Sequence, residues 1–281
     1  LAPGERRTMH ELIYGALLNS GNDACVAIAE AIAGSERAFA ALMTARARQL
    51  GARETTFLNA NGLPQRGHLT SAHDLAVIAR AALANEIFAA AVRTKVKNIP
   101  WDGKPWDRRL INHNKLLWRY EGADGVKTGY TRESGHCLVA SATRNGRRLI
   151  AVILDARDTY GEARVLLDYG FNRFRLAAPR GGIPRSVAVS GGLAGRVKTR
   201  TAGVLAYAVP REQASRVRLK VSCPRVVPAP ISRGQRLGWA SLIGNGRTLA
   251  RVPLVAAGKV ERRGILAALA RFLSRLFGGR A

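Results

Sequence analysis

Acidic residues are scarce in this chain: 19 Asp and Glu stand against 45 Lys and Arg in 281 residues, a formal net charge of +26. The deficit sits mostly at one end. Residues 181–281 hold 19 Lys and Arg and two acids, Glu212 and Glu261, a net +17 that leaves +9 for residues 1–180. A basic third of this kind suits nucleic acid, anionic lipid headgroups or an acidic polymer, and composition does not choose among them. Cysteine is also sparse. Cys25, Cys137 and Cys223 are odd in number and far apart, without the Cys-x-x-Cys or Cys/His spacing of a zinc site, so no metal and no cofactor is indicated. Residue 1 is Leu, and no charged-then-apolar export segment follows it, so the true start is expected to have been removed by processing or truncation.

What is present is enough apolar sequence, 47%, for one medium domain with a real core and a small one behind it. Thr8 and Glu11 form a capping box ahead of Leu12, Ile13, Ala16 and Leu17 at helical spacing. Asp23 reads as the N-cap of a second helix, Ala24 to Ala33, stopped by Gly34. Ser20, Gly21 and Asn22 therefore fall in a tight connection between two buried helices. Ser35 caps a third helix to Leu50, Asn59 to Gly67 is loop, and Thr70 or Ser71 starts a fourth, to about Ala84. Residues 93–124 read as a long loop with Trp101, Trp106 and Trp118 packed beneath it.

Gly125 to Thr131 reads as an edge strand beside a hairpin of Cys137 to Thr143 and Arg148 to Leu154, with a helix at Gly161 to Tyr169 and Gly170-Phe171 closing the domain. Within that strand, Lys127 offers a positive charge to a substrate carboxylate and Thr128 a hydroxyl. Gly129 leaves room for an extended substrate to lie along the backbone. Pro179 to Pro184 is a linker by composition. Beyond it, runs at Ser186 to Val189, Val204 to Val209, Val217 to Val221, Gln235 to Ile243 and Thr248 to Val255 suit a small β-sandwich. Ile265 to Phe277 places Leu and Phe on one arc and Arg271, Ser274 and Arg275 opposite, which suits a helix lying in a headgroup layer, or one docked on its own domain or a partner.

Ser-x-Asn alone arises by chance about once in a chain of this length, and Lys-Thr-Gly in about one such chain in twenty. The pair is more specific: helix-connected Ser20-Gly21-Asn22 and strand-borne Lys127-Thr128-Gly129 resemble two of the three motifs of the penicillin-binding protein and serine β-lactamase fold. The context from Leu17 to Ala24, Asn59 to Leu63, Asn112 to Trp118 and Asp168 to Phe171 is similar to the D-alanyl-D-alanine carboxypeptidases of low molecular mass. The resemblance covers residues 1 to about 180 and extends, more weakly, to the β domain and tail.

That resemblance implies an α/β (α+β) catalytic domain over residues 1–180, a small β-sandwich over 181–260 and a basic amphipathic membrane-anchor helix over 261–281. It implies an acyl-enzyme reaction that removes the terminal D-alanine of peptidoglycan stem peptides outside the cytoplasm, with β-lactam antibiotics as inhibitors and no nucleic-acid partner. Ser20 relays a proton, Asn22 holds the substrate amide, Lys127 and Thr128 bind the terminal carboxylate, and Gly129 leaves room for the substrate against the strand. The backbone N–H of Tyr130 supplies half of an oxyanion hole, and Arg157 is the nearest match to an arginine often found after the second strand. The five histidines are given no catalytic role.

The family's Ser-x-x-Lys nucleophile motif is not matched, since no serine here has lysine three positions on. It is expected several dozen residues before Ser20, so the chain reads as the larger C-terminal part of an enzyme and, alone, as inactive. Asn61 also stands where many relatives have histidine. Two other readings stay open: a β-lactamase-like hydrolase, whose Glu-x-x-Leu-Asn pattern Glu54 to Asn59 misses by one residue, and an inactive basic cell-wall-binding protein.

Overall fold

The capping box at Thr8 opens the first helix, α1 (Met9–Leu18), in a computed structural model that describes residues 1–101, 103–179, 183 and 186–264. Thr8 Oγ1 accepts from the Glu11 N–H at 3.2 Å while Glu11 accepts from the Thr8 N–H at 2.9 Å, so two otherwise orphaned donors are satisfied. The next helix, α2 (Asn22–Ala33), starts earlier than the sequence suggests. Its N-cap is Gly21, and Asp23 lies in the first turn, where its carboxylate accepts from the Ala24 N–H and pairs with the chain's terminal amino group. An acid one residue inside the helix meets the same exposed N–H groups and dipole, which is why the two positions look alike in sequence. Gly34 and Gly51, both left-handed, stop α2 and α3 (Glu36–Leu50), and Ser35 caps α3.

Ser71 caps α4 (Ala72–Ala82), and Asn85, bonded to the Ile87 and Phe88 N–H groups, caps α5 (Glu86–Arg93). Residues 93–124 are more ordered than a long loop. They hold a hairpin of β1 (Val96–Ile99) and β2 (Arg108–Ile111), then the single turn α6 (Leu116–Arg119). Trp101, Trp106 and Trp118 are exposed rather than packed beneath, each with a cationic side chain over its ring, Arg108 standing 4.6 Å from Trp101.

A three-stranded antiparallel meander follows, β3 (Ala123–Thr131), β4 (Gly135–Arg144) and β5 (Arg147–Ile153), with β3 at one edge and β5 at the other. Helix α7 (Thr159–Arg173) runs four residues past the expected end, straight through Gly170. Alternation divides the sheet. Leu138, Ala140, Ala142, Ala151 and Ile153 pack against Ala163 and Leu167 of α7, while Val126, Val139 and Ile150 pack against Leu83 and Val92 from the α4–α5 side. An open apolar groove of about 570 Å³ runs between α4 and β5, lined in part by Val77, Leu83, Leu149 and Ile150.

Residues 1–172 form one compact unit; those from Arg173 onward form a second. In the second, β6 (Phe174–Ala177) pairs with β9 (Tyr207–Pro210). A six-stranded sheet has the order β10 (Arg218–Ser222), β12 (Arg236–Gly244), β13 (Arg247–Ala256), β8 (Arg196–Thr201), β7 (Ser186–Ser190), β11 (Val226–Pro228). The two cores of this unit gather around Val187, Val197, Ile231 and Leu237, and around Leu205, Ala240 and Leu242. The proposed linker lies largely outside the described residues, and the amphipathic segment Ile265 to Phe277 lies wholly outside them.

Candidate active site

The turn between α1 and α2 is held in an uncommon shape. Ser20 has φ +57°, a left-handed conformation that few non-glycine residues adopt, and Gly21 closes the turn by donating its N–H to the Gly15 carbonyl at 3.1 Å. A Cβ on Gly21 would stand 3.3 Å from that same carbonyl, tighter than most real contacts, so glycine fits there best. The turn is also tied from outside: Asn19 Oδ1 accepts from the Ile111 N–H at 3.2 Å, and Leu18 O from the His113 N–H at 3.2 Å. The result is a serine hydroxyl displayed at the surface on a fixed support.

Strand β3 is fixed with comparable care. Buried Asn114 donates to the Gly125 carbonyl at 2.9 Å and accepts from the Leu116 N–H at 3.1 Å, while buried Asn112 donates to the Val92 and Thr94 carbonyls and accepts from the Asn114 N–H. Asp124 accepts from Ser141 Oγ at 2.7 Å, Thr143 Oγ1 at 2.6 Å and Arg148 Nε at 2.9 Å, binding the start of β3 to both other strands. The stretch Asn112 to Trp118 carries part of the family resemblance, but neither clamp could be assigned its role from sequence. The signals available were the polar run Asn112-His113-Asn114 and the acid just before Gly125.

Across 107 residues of sequence, these supports bring Lys127 Nζ to Ser20 Oγ at 2.9 Å; the ammonium also donates to the Thr128 carbonyl at 2.7 Å. Burial holds the Lys127 amine below its ordinary pKa. His113 and Cys25 face the same charge. Burial, then the Lys127 ammonium, lower the His113 imidazole, while burial raises the Cys25 thiol against the opposing pull of Lys127. Sequence reading attached neither residue to the site, since a lone histidine and a lone cysteine carry no pattern.

The remaining named residues are placed as follows. Asn22 is exposed at the first turn of α2, and Thr128 is half-buried on β3. Above Gly129 there is open space, for a Cβ built there meets no atom within 4 Å. Tyr130 is 62% exposed, its ring stacked on His136 at 4.3 Å. Asn61 donates to Glu36 at 3.3 Å. Arg157 is exposed in the turn before α7 and makes no hydrogen bond or ion pair with the others among the described residues. Among the described residues no group of three or more His, Cys, Asp or Glu is placed to hold a metal ion.

A serine on the turn between two helices meets a lysine on an open edge strand, with a glycine leaving space above the strand, an arrangement that resembles the acyl-transfer sites of the penicillin-binding class. The chain belongs to the D-alanyl-D-alanine carboxypeptidase family, whose model matches residues 1–158, and residues 178–262 match the C-terminal domain of penicillin-binding protein 5. It is 34% identical to D-alanyl-D-alanine carboxypeptidase DacF of Bacillus subtilis over 286 residues, covering 99% of this chain and 72% of that one. It is 32% identical to DacC of Escherichia coli, covering 99% and 70%. Among solved structures, penicillin binding protein 5 from Haemophilus influenzae superposes with a TM-score of 0.72 at 28% identity, covering 90% of this chain and 74% of that one. Penicillin binding protein 6B from Escherichia coli does so with 0.67 at 31%, covering 91% and 72%.

Proposed function

We propose that this chain supplies the leaving-group and carboxylate side of a serine carboxypeptidase site acting on D-alanyl-D-alanine ends of peptidoglycan stem peptides. The observation that carries the reading is the Lys127–Ser20 contact beside the open space above Gly129. In this scheme the substrate lies antiparallel along the free edge of β3, its terminal carboxylate paired with Lys127 and Thr128 and its amide held by Asn22. A nucleophilic serine attacks the carbonyl between the two D-alanines, and the developing oxyanion takes a hydrogen bond from the Tyr130 N–H. The leaving D-alanine nitrogen needs a proton. Ser20 delivers it and takes in its place the proton that the nucleophile's hydroxyl loses on attack, while the Lys127 ammonium keeps its charge and donates a hydrogen bond to Ser20 Oγ. Water then hydrolyses the acyl-enzyme. β-Lactams enter the same site as acylating inhibitors that present a carboxylate to Lys127.

The location follows from the substrate, which lies outside the cytoplasm. The amphipathic, cationic sequence from Ile265 to Phe277 supports attachment at an anionic membrane surface. The test of the site is D-alanine release from diacetyl-L-lysyl-D-alanyl-D-alanine by the native protein carrying Ser20→Ala or Lys127→Ala at its own locus. Loss in both variants with the melting temperature kept supports the scheme. Undiminished release from either variant removes that residue from it.

A further inference from the structure

We propose that one face of the six-stranded sheet in the second unit docks on the headgroups of an anionic phospholipid bilayer, by a surface distinct from the tail sequence. Register defines the face. Lys220, Ser241 and Arg251 stand in one row across β10, β12 and β13; Ser222, Trp239 and Pro253 form the next; Arg236, Val255 and Arg200 form a third across β12, β13 and β8. The alternate residues Leu219, Ala240, Leu242 and Val252 point the other way, into the core. Arg200, Arg218, Lys220, Arg236 and Arg251 are all exposed on this side.

Among the described residues no acid of this unit pairs with them. Between Arg173 and Gly264 the only acids are Glu212, on the short 3-10 turn against β6 and β9, and Glu261, held by Lys259 at 2.9 Å. Half-buried Trp239 carries two guanidinium groups over one indole, Arg251 at 4.1 Å and Arg236 at 5.1 Å. Two like charges gathered on one ring repel, and an anion bridging them relieves that repulsion.

The shape selects among anions. Strands lie about 4.8 Å apart, so charges from β10 to β8 spread roughly 14 Å across as well as along the strands. That is a two-dimensional array, matched to a lattice of headgroups rather than to the single track of one polymer chain. Arginine forks suit phosphate, and an indole set among them is the aromatic type that sits at headgroup depth. Arg262, among the last described residues, bridges Gly192 in the β7–β8 turn, and in sequence the amphipathic stretch begins at Ile265.

The experiment is sedimentation of the full chain with vesicles of phosphatidylcholine alone or with 30% phosphatidylglycerol. Each cation near such a surface raises partitioning about fivefold, so Arg200→Gln/Lys220→Gln/Arg251→Gln, with the tail intact, should lower binding to the anionic vesicles about a hundredfold. The same charge removed elsewhere, in Arg211→Gln/Arg216→Gln/Arg225→Gln, should change it much less. Brominated lipid should quench emission that Trp239→Phe abolishes. Wild-type binding in the first triple variant with its melting temperature kept, an equal fall in the second, or absent Trp239 quenching would overturn the proposal. So would a preference for soluble polyphosphate over vesicles, which would assign the face to a soluble polyanion.

Discussion

In the proposed scheme Lys127 binds the terminal carboxylate, and its burial works against the charge that this requires. Burial lowers its pKa, so the ammonium is lost at a lower pH than in an ordinary lysine, while carboxylate binding requires the charged form. Binding is therefore full below the depressed value and falls as pH rises through it, before 10.5 is reached. The KM of the native protein for a D-alanyl-D-alanine peptide should rise on this alkaline limb, and Lys127→Arg should flatten the rise. Removal is more severe. A charge-assisted bond to carboxylate contributes about 1.5–3 kcal/mol, so Lys127→Ala should cost roughly tenfold or more in kcat/KM. Ser20 and Lys127 were legible because each lies in a short motif. His113, Cys25 and Asn114 were not, because their roles come from neighbours distant in sequence.

At the level of elements, capping and stop signals made α1, α3 and α4 readable, since each begins at a side chain that accepts from a backbone N–H three residues on. Strand β8 escaped notice for a physical reason. In Arg196-Val197-Lys198-Thr199-Arg200-Thr201 only Val197 is apolar, the outward positions being cations, so the alternation never reads as hydrophobic. Helix α5 was missed although Asn85 is a sound cap, because eight residues give barely two turns of periodicity. The clamp at Asp124 offers a test of how β3 is held. Asp124→Asn keeps the size but removes the charge that three donors share, so unfolding should cost about 1–3 kcal/mol less, measured by urea denaturation.

For the whole molecule, the family and its two-domain plan were legible because the two motifs and the long basic β region survive in plain sequence. The chain's own chemistry is sharper still. Since no serine has lysine three positions on, a labelled penicillin should leave no covalent adduct on these 281 residues, and an adduct mapped by mass spectrometry would show that another serine is activated. The two units should also differ in resistance. Residues 1–172 keep an apolar groove open between α4 and β5, whereas the second unit gathers two cores of its own. Limited proteolysis should therefore cut the first unit sooner and spare a fragment beginning near residue 183.

The contact between Ser20 and Lys127 closes a loop of 107 residues. Closing a flexible loop of that length carries an entropy cost of about 4 kcal/mol before any local interaction is counted, and contacts so distant form late in folding. Helices α1 and α2 can assemble from neighbours in sequence, and so can the β3–β5 meander, without either half possessing a site. The proposed grip on an acyl donor comes into being only when the two halves dock. In a refolding experiment it should appear after helical circular dichroism has recovered, so a chain caught short of its native state has helices and strands but no hold on its substrate.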